Sequence, residues 1–400
     1  MADLELKGKS VLVTGGAGFI GSSLVRQLQA LGCHVLVLDN LLAGKREHLE
    51  GTNAELIVGD IRNSELLNYI LSKNQVDFCF HLAANPFIPH GYENPEFMFS
   101  ENTLGTIRVL KACHKGGVKR IVFYSTSEVY GTARTELMDE SHLTTPHSTY
   151  AIAKLAADRE CFVLHKEKKI PVVILRQFNC FGPREAQPYI IPEIISQFAH
   201  KGTTLSLGNL KARRDFTFVD DATKGVTKLA QVEGIDGEVV NFGRGENYSV
   251  QEIAEAVADI MKIDNWGVAV DQARLRPYDV ERLKCNNSKF NNLTGGIEFT
   301  PFKEGLEQTV QWYLDHNCKW SFERGDLPVR MEVKWVREKK YCFVCGKSED
   351  EVRLEPIRST MGTQFNVCHD CQSNPNNAEL IWTVTKARAE NKTTPQEWNK

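Results

Sequence analysis

The 400-residue chain contains no run of eighteen apolar residues, so no membrane-spanning helix is expected. Its first ten residues mix Asp, Glu and Lys and lack an apolar signal core. Secretion is therefore not expected, and a cytoplasmic location is. Excess charge of one sign is absent. The net charge is −3, which argues against a nucleic-acid partner for the bulk of the chain. There is no internal repeat and no low-complexity stretch, which excludes solenoids and fibrous folds. A disulfide framework is missing too. The eleven cysteines are odd in number and scattered, as suits reduced thiols. Apolar residues make up 42% and charged residues 25%, the balance of a globular protein with a large core and two or three domains.

Short β-branched runs alternate with helical patterns over the first part. Strands are expected at Ser10–Thr14, His34–Asp39, Glu55–Val58, Phe78–Leu82, Arg120–Ser125 and Pro171–Leu175. Helices are expected at Gly21–Leu31, Thr103–Lys115 and Tyr150–His165. This alternation predicts βαβ units and an α/β, Rossmann-type, doubly wound parallel sheet. Residues 1–178 are read as the dinucleotide-binding domain. Residues 179–317 are read as a smaller mixed α/β substrate cap, with pieces returning to the main sheet left open. Residues 318–340 are read as a linker, and 341–400 as a small cysteine-bearing module and tail.

Gly15, Gly18 and Gly21 follow the first strand and open the first helix. Such spacing permits a tight turn, close approach of a pyrophosphate and close helix packing, with phosphates at the helix N-terminus. Asp39 ends the second strand, where a carboxylate accepts from both ribose hydroxyls and repels a 2′-phosphate. NAD is therefore favoured over NADP. Asp60 follows the third strand and is either an adenine contact or a turn residue.

Tyr150 and Lys154 share one helix face. A tyrosine with a pKa of about 10 is too weak a base at neutral pH unless an ammonium and a positive nicotinamide stabilise its phenolate. Thr126, Ser127 and Glu128 sit at the C-terminal end of a strand, where such sheets bind ligands, and all three are catalytic candidates. Thr126 suits a hydrogen bond to the reacting sugar oxygen, and Glu128 a general base. The bland alternatives are a surface pair for Tyr150 and Lys154 and a hydrated loop carboxylate for Glu128.

The stretches VTGGAGFIG, LDN at Asp39, HLAA, STSEVYG, Tyr150-Ala-Ile-Ala-Lys154, RQFNCFGPR, RRDFTFVDD, NFG and LRPYDVERL occur in order over about residues 1–315. On them the chain resembles an extended short-chain dehydrogenase/reductase of the nucleotide-sugar epimerase and dehydratase group. The resemblance implies NAD as cofactor and a homodimer formed through helices near Phe97–Lys115 and Tyr150–Lys166. It assigns Leu82, Ala83 and Ala84 to the nicotinamide side and Asn102 to holding the helix beside the site. Phe19, Ile20, Asn40 and Ile61 complete the cofactor set. For the substrate it implies Asn179 at the sugar or its phosphate, Arg214 and Arg276 at the diphosphate, and Leu205 and Leu207 beside the nucleotide base.

The resemblance also narrows the reaction. A 4-epimerase needs no carboxylate at position 128, whereas a 4,6-dehydratase needs a base for the C5 proton. Ser127 departs from the Thr-Asp-Glu of many dTDP-glucose dehydratases, whose Asp is the proposed acid. The neighbouring stretches look most like dehydratases acting on N-acetylglucosamine nucleotides. A 4,6-dehydratase of a UDP-N-acetylhexosamine is thus the expectation. UDP-glucuronate decarboxylase, 4-epimerase and 5,6-dehydratase are the enzymatic alternatives, and an NAD-sensing scaffold the non-enzymatic one.

Cys342-x2-Cys345 and Cys368-x2-Cys371, separated by twenty-two residues, have the spacing of a closed tetrathiolate zinc site. A structural zinc is expected there, in a module too small to fold on its core alone. Its partner, protein or nucleic acid, is open.

Overall fold

The computed structural model describes residues 4–185, 189–275, 278–317, 354–358 and 364–368. The linker at 318–340, Cys342, Cys345 and Cys371 lie outside the described residues, as does Arg276. In chain order the first elements are β1 (Ser10–Thr14), α1 (Phe19–Ala30), β2 (His34–Asp39), β3 (Glu55–Val58), α2 (Ser64–Lys73) and β4 (Phe78–His81). They are followed by α3 (His90–Glu93), α4 (Pro95–Phe99), a π-turn at Ser100–Leu104, α5 (Gly105–Lys115), β5 (Arg120–Thr126), α6 (Thr149–Lys168) and β6 (Val172–Gln177). Next come β7 (Asn179–Phe181), α7 (Ile190–Lys201), β8 (Thr204–Leu207), β9 (Arg213–Arg214), β10 (Phe216–Phe218), α8 (Val219–Ala230) and β11 (Val239–Phe242). The remainder is β12 (Tyr248–Ser249), α9 (Val250–Met261), β13 (Gly267–Val270), α10 (Ser288–Thr294), α11 (Phe302–Asp315), β14 (Leu354–Arg358) and β15 (Gln364–Cys368).

Seven parallel strands form the sheet in the order β11-β6-β5-β4-β1-β2-β3. Successive side chains of a strand point to opposite faces, and the two cores divide accordingly. Val11, Val13, Val35, Val37, Phe78 and Phe80 join α1 and α8 on one face. Leu12, Leu36, Leu38 and Cys79 join α2, α5 and α6 on the other. Burial on both faces explains why these strands read as continuous apolar runs. The chain runs outward from β1 to β3 and then resumes at β4 on the other side of β1. That reversal opens a crevice at the strand C-terminal ends.

A third core, from α7, α9, α11 and the β8–β13 pair, forms the smaller lobe. The pieces returning to the sheet are β11, which pairs with β6, and α8, which packs in the same core as α1. The helix expected from Thr103 begins instead as a π-turn, and α5 proper starts at Gly105. Among the described residues no helix is long and apolar enough to cross a membrane.

Candidate active site

One cavity of about 1120 Å³ lies along the C-terminal ends of β1, β2, β4, β5 and β6 and extends beneath the smaller lobe. That exceeds the roughly 300–1,000 Å³ of a single-ligand pocket. The dinucleotide end is a turn held by close backbone packing. Gly15 has φ +74°, and a Cβ there would lie 2.7 Å from the Ala83 nitrogen. At Gly21 a Cβ would fall 2.0 Å from the Gly15 carbonyl oxygen. Helix α1 starts at Phe19 with Gly18 as its N-cap, and no side chain caps it. Its first amides therefore face the cavity with the positive end of the helix dipole.

Asp39 is buried at the end of β2. One carboxylate oxygen accepts from the Ala17 amide (2.9 Å) and the other from the Leu41 amide (2.8 Å). Burial pushes its pKa up, against those two hydrogen bonds. Each oxygen keeps a further lone pair, so the group suits ribose hydroxyls. Asp60 is the turn residue of the two readings, accepting from the Arg62 amide (2.7 Å), and it lies in the cavity wall. Its carboxylate is also gripped by the Arg62 guanidinium at 2.9 and 2.7 Å. Burial raises its pKa, but the bonds and charge of Arg62 outweigh that and leave it lowered. Gly15, Gly18, Phe19, Ile20, Gly21, Asn40, Ile61, Leu82, Ala83 and Ala84 all line this end. The uncapped helix start, the glycine turn and the acidic β2 terminus fit a dinucleotide.

Buried His81 braces the floor between β1, β4 and α5. Its Nδ1 is 2.7 Å from Thr14 Oγ1 and its Nε2 is 3.0 Å from Thr106 Oγ1. The Thr106 hydroxyl gives its proton to the Asn102 carbonyl (2.7 Å), so the network assigns the ring proton to Nε2. Burial and then the Lys154 charge lower the His81 pKa to about 3. Asn102 itself lies off the cavity wall. Its amide group accepts from the Asn85 nitrogen (2.7 Å) and donates to the Asn85 carbonyl (3.0 Å), and so fixes a wall residue.

The chemical centre forms where β5 meets α6. Thr126 ends β5 and accepts from the Glu128 amide at 3.2 Å, starting the single turn Ser127–Tyr130. That turn sends Glu128 to the cavity and Ser127 into the interior. Ser127 is 2% exposed and forms none of the wall, contrary to the catalytic role expected of it. Helix α6 is capped by Ser148, which accepts from the Ala151 amide at 3.1 Å and so directs Tyr150 and Lys154 to the same cavity. Burial, then the Glu128 charge, pushes the Tyr150 phenol up, against a hydrogen bond with Thr126. Lys154 donates to the Tyr124 carbonyl and lies 4.2 Å from the Phe123 ring centroid. Burial lowers its pKa to about 7. The expected phenolate support by a lysine ammonium is thus weaker than the sequence suggests. Protein groups alone keep Tyr150 protonated.

Behind this pair, Asp158 on α6 receives Arg176 at 2.9 and 3.1 Å and Ser125 at 3.1 Å. Arg176 also donates to Tyr130 Oη at 3.0 Å. This buried network locks α6 to β5 and β6, and nothing in the sequence spacing announces it.

At the sugar end, Asn179, Leu207 and Arg214 line the cavity. Leu205 does not. Strand β8 places it fully inside the smaller lobe's core, so the expected contact with a nucleotide base is not available to it. Arg214 lies 3.9 Å from Glu128 and 3.4 Å from Asp279. The sequence reading missed Asn85, Glu185, Glu193, Arg274 and Asp279 in this wall. Arg274 directly precedes the LRPYDVERL motif, Asp279 lies within it and Glu185 directly follows FGPR, so all three had a local signal.

Residues 12–309 match the protein family described as GDP-mannose 4,6 dehydratase. The human dTDP-D-glucose 4,6-dehydratase is 30% identical over 328 residues, 78% of this chain and 92% of that protein. UDP-N-acetyl-alpha-D-glucosaminuronate decarboxylase of Bacillus cytotoxicus is 33% identical over 321 residues, 77% of this chain and 98% of that one. The dTDP-glucose 4,6-dehydratase DesIV of Streptomyces venezuelae, solved with NAD bound, superposes with a TM-score of 0.72 at 30% identity. That superposition covers 78% of this chain and 98% of DesIV. The chain is therefore an extended short-chain dehydrogenase/reductase and belongs to the GDP-mannose 4,6 dehydratase family of nucleotide-sugar dehydratases and epimerases.

Proposed function

We propose that the protein is an NAD-dependent 4,6-dehydratase of a nucleotide hexose, with a UDP-N-acetylhexosamine as substrate. The observation that carries this is the convergence of Thr126, Glu128, Tyr150 and Lys154 on the cavity that also holds the glycine turn and Asp39. Bound NAD supplies a hydride acceptor for the sugar C4, a positive ring that lowers the Tyr150 pKa, and later a hydride for C6. Tyr150 takes the C4 hydroxyl proton while Thr126 holds that oxygen. The resulting ketone acidifies C5–H, and Glu128 removes that proton. Asn179, Arg214 and Arg276 hold the sugar diphosphate, for which guanidinium forks are suited. Residues 1–178 supply most of the cofactor site, and 179–317 most of the substrate site.

Incubation with a panel of nucleotide sugars tests the reaction. Loss of water from a UDP-N-acetylhexosamine is expected, whereas loss of carbon dioxide from a uronate would make the chain a decarboxylase. Glu128→Gln should stop water loss yet leave hydride exchange at C4. Full turnover in that variant would remove Glu128 from the mechanism.

Three further assignments belong to this reading. A homodimer through α4–α5 and α6 is supported by Leu104, Ile152, Phe162 and Val163, apolar side chains 36–49% exposed on those elements. A reducing, cytoplasmic setting is supported by six free cysteines among the described residues. A structural zinc on Cys342, Cys345, Cys368 and Cys371 is supported by their spacing and by the β14–β15 hairpin, whose last residue is Cys368, paired with Leu354. Metal analysis of the purified chain should give one zinc, lost on Cys368→Ser.

A further inference from the structure

Each nitrogen of the Arg214 guanidinium faces a different oxygen. Nη1 donates to the Arg213 carbonyl at 3.1 Å and Nη2 to Asp279 Oδ1 at 3.4 Å, while Nε stands 3.9 Å from Glu128 Oε1. The last distance is a charge contact, beyond the reach of a hydrogen bond. Two carboxylates of one cavity wall therefore share this guanidinium, and they share it unequally. The one that holds less of it, Glu128, serves elimination alone, since hydride transfer at C4 uses Tyr150 and Thr126.

The segments that carry the two carboxylates are fixed independently of Arg214. Asp279 Oδ2 accepts from Asn209 Nδ2 at 3.2 Å and Oδ1 from the Val280 amide at 2.9 Å. The Asp279 carbonyl lies 3.4 Å from His147 Nδ1, and the His147 ring stacks on Tyr278 with centroids 3.8 Å apart. His147 also backs the turn that carries Glu128. A Cβ at Gly131 would come within 2.9 Å of its Nε2, and the Gly131 amide donates to the Glu128 carbonyl at 3.2 Å. The backbone of Arg214 is held as well, because Arg213 donates to Asn247 Oδ1 and to the Asn247 carbonyl, both at 3.0 Å. What remains to move is side chain: the Arg214 fork and the Glu128 carboxylate.

We propose that Asp279 is a positioning residue for the elimination step, an assignment that rests on the dehydratase reading: it holds the Arg214 fork off Glu128 and so leaves that carboxylate free to take the C5 proton. A guanidinium and a carboxylate within reach of each other close to about 2.7–2.9 Å. Here the gap stays open because Asp279 and the Arg213 carbonyl take the two outer nitrogens. Without the Asp279 charge, Glu128 is the carboxylate left beside the fork among the described residues. The two then pair, and a paired carboxylate is both drawn away from the C5 proton and occupied as an acceptor. A displacement of about 1 Å at a reacting group costs on the order of 10²-fold in rate. Oxidation at C4 does not use Glu128 and is spared.

The test is a double-mutant cycle on Asp279→Asn and Arg214→Ala, read in single turnovers of the full chain with NAD and saturating UDP-N-acetylglucosamine, or whichever nucleotide sugar of the panel loses water in wild type. Absorbance follows NADH formation, and mass follows water loss. In Asp279→Asn, NADH should form within a few-fold of the wild-type rate, which also shows that the variant is folded, and then persist. Water loss should slow ~10–10²-fold. In the Arg214→Ala background, Asp279→Asn should slow water loss no further, because the fork that would capture Glu128 is gone. Equal slowing by Asp279→Asn in both backgrounds would overturn the proposal, since Asp279 would then act without Arg214. Equal slowing of NADH formation and water loss, or a raised KM alone, would also overturn it and make Asp279 a structural or substrate-contact residue. Should Asp279→Asn form no NADH, Asn209→Ala, which releases Asp279 Oδ2, must show the same split between the two steps, and its absence overturns the proposal. If wild type loses water from no nucleotide sugar, the dehydratase reading itself fails. That outcome is seen without any variant.

Discussion

Asp39 and Arg214 face one cavity from opposite ends and are held in opposite ways. The carboxylate of Asp39 is fixed by amides of Ala17 and Leu41, within twenty-two residues of it in the chain. The guanidinium of Arg214 is set among Glu128 and Asp279, eighty-six residues before it and sixty-five after it. The dinucleotide end is thus built mainly from one contiguous strand–turn–helix–strand unit, closed by residues that follow β3 and β4. The sugar end is a meeting of β5, β7, β9 and the segments before α7 and α10. A site made of backbone is intolerant of shape changes but insensitive to charge. A site made of mutually paired side chains tolerates truncation but changes its electrostatics with each one.

The largest effect expected of this contrast is at Gly21. The Cβ of Gly21→Ala would overlap the Gly15 carbonyl at 2.0 Å, with backbone on both sides. A loss of several kcal/mol and of NAD binding is expected by denaturant melting and cofactor titration. Near-normal NAD binding would show that the turn is more plastic than its packing implies. Next, Tyr150→Phe removes the group where the two ends meet. Turnover should fall ~10³-fold or more, with both ligands still bound. Prompt reduction of NAD on adding substrate to Tyr150→Phe would refute its role.

Acid should distinguish the ends next. His81, held by Thr14 and Thr106, has its pKa lowered to about 3, and His48, whose Nδ1 meets the Ala17 carbonyl at 2.9 Å, to about 4. Burial is the main cause in both. The unfolded chain binds these protons near pH 6.5 and the folded chain does not. Their contribution is therefore complete above pH 6.5 and is lost as pH falls toward 4 and 3. At pH 5 the cost is about 2 kcal/mol for each histidine, from 1.36 kcal/mol per pH unit. Hydrogen exchange at pH 5 against pH 7.5, corrected for intrinsic rates, should show β1, β4 and the glycine turn opening first. Uniform loosening would contradict this. The smallest effect belongs to Arg214→Ala. Loss of one charge-assisted contact is worth about 1–3 kcal/mol, a rise of some ten- to hundredfold in KM for the nucleotide sugar, with NAD affinity unchanged. A matching loss of NAD affinity would mean that the two ends are coupled.

The same contrast governs what could be read in advance. Ser10–Thr14, His34–Asp39 and Glu55–Val58 are strands at the boundaries read from pattern. Their β-branched runs and flanking turn residues are local signals. The glycine turn and Asp39 were legible because their geometry is complete within a single βαβ unit. Leu205 misled because alternation along a strand says that a residue is inside, not whether inside means a core or a cavity. Ser127 misled for a like reason: the turn capped by Thr126 decides which of two neighbouring side chains faces the ligand.

Sequence alone determined the fold class, the cofactor turn and the positions of Tyr150 and Lys154 on one helix face. Each depends on interactions within a few residues. Only the tertiary structure decided that Lys154 is buried against Tyr124 and Phe123, that Asp158 and Arg176 lock the catalytic helix, and that Glu185 stands in the wall with an unpaired oxygen. Those outcomes are set by burial and by partners far along the chain, and desolvation is a property of the folded surroundings rather than of the residue.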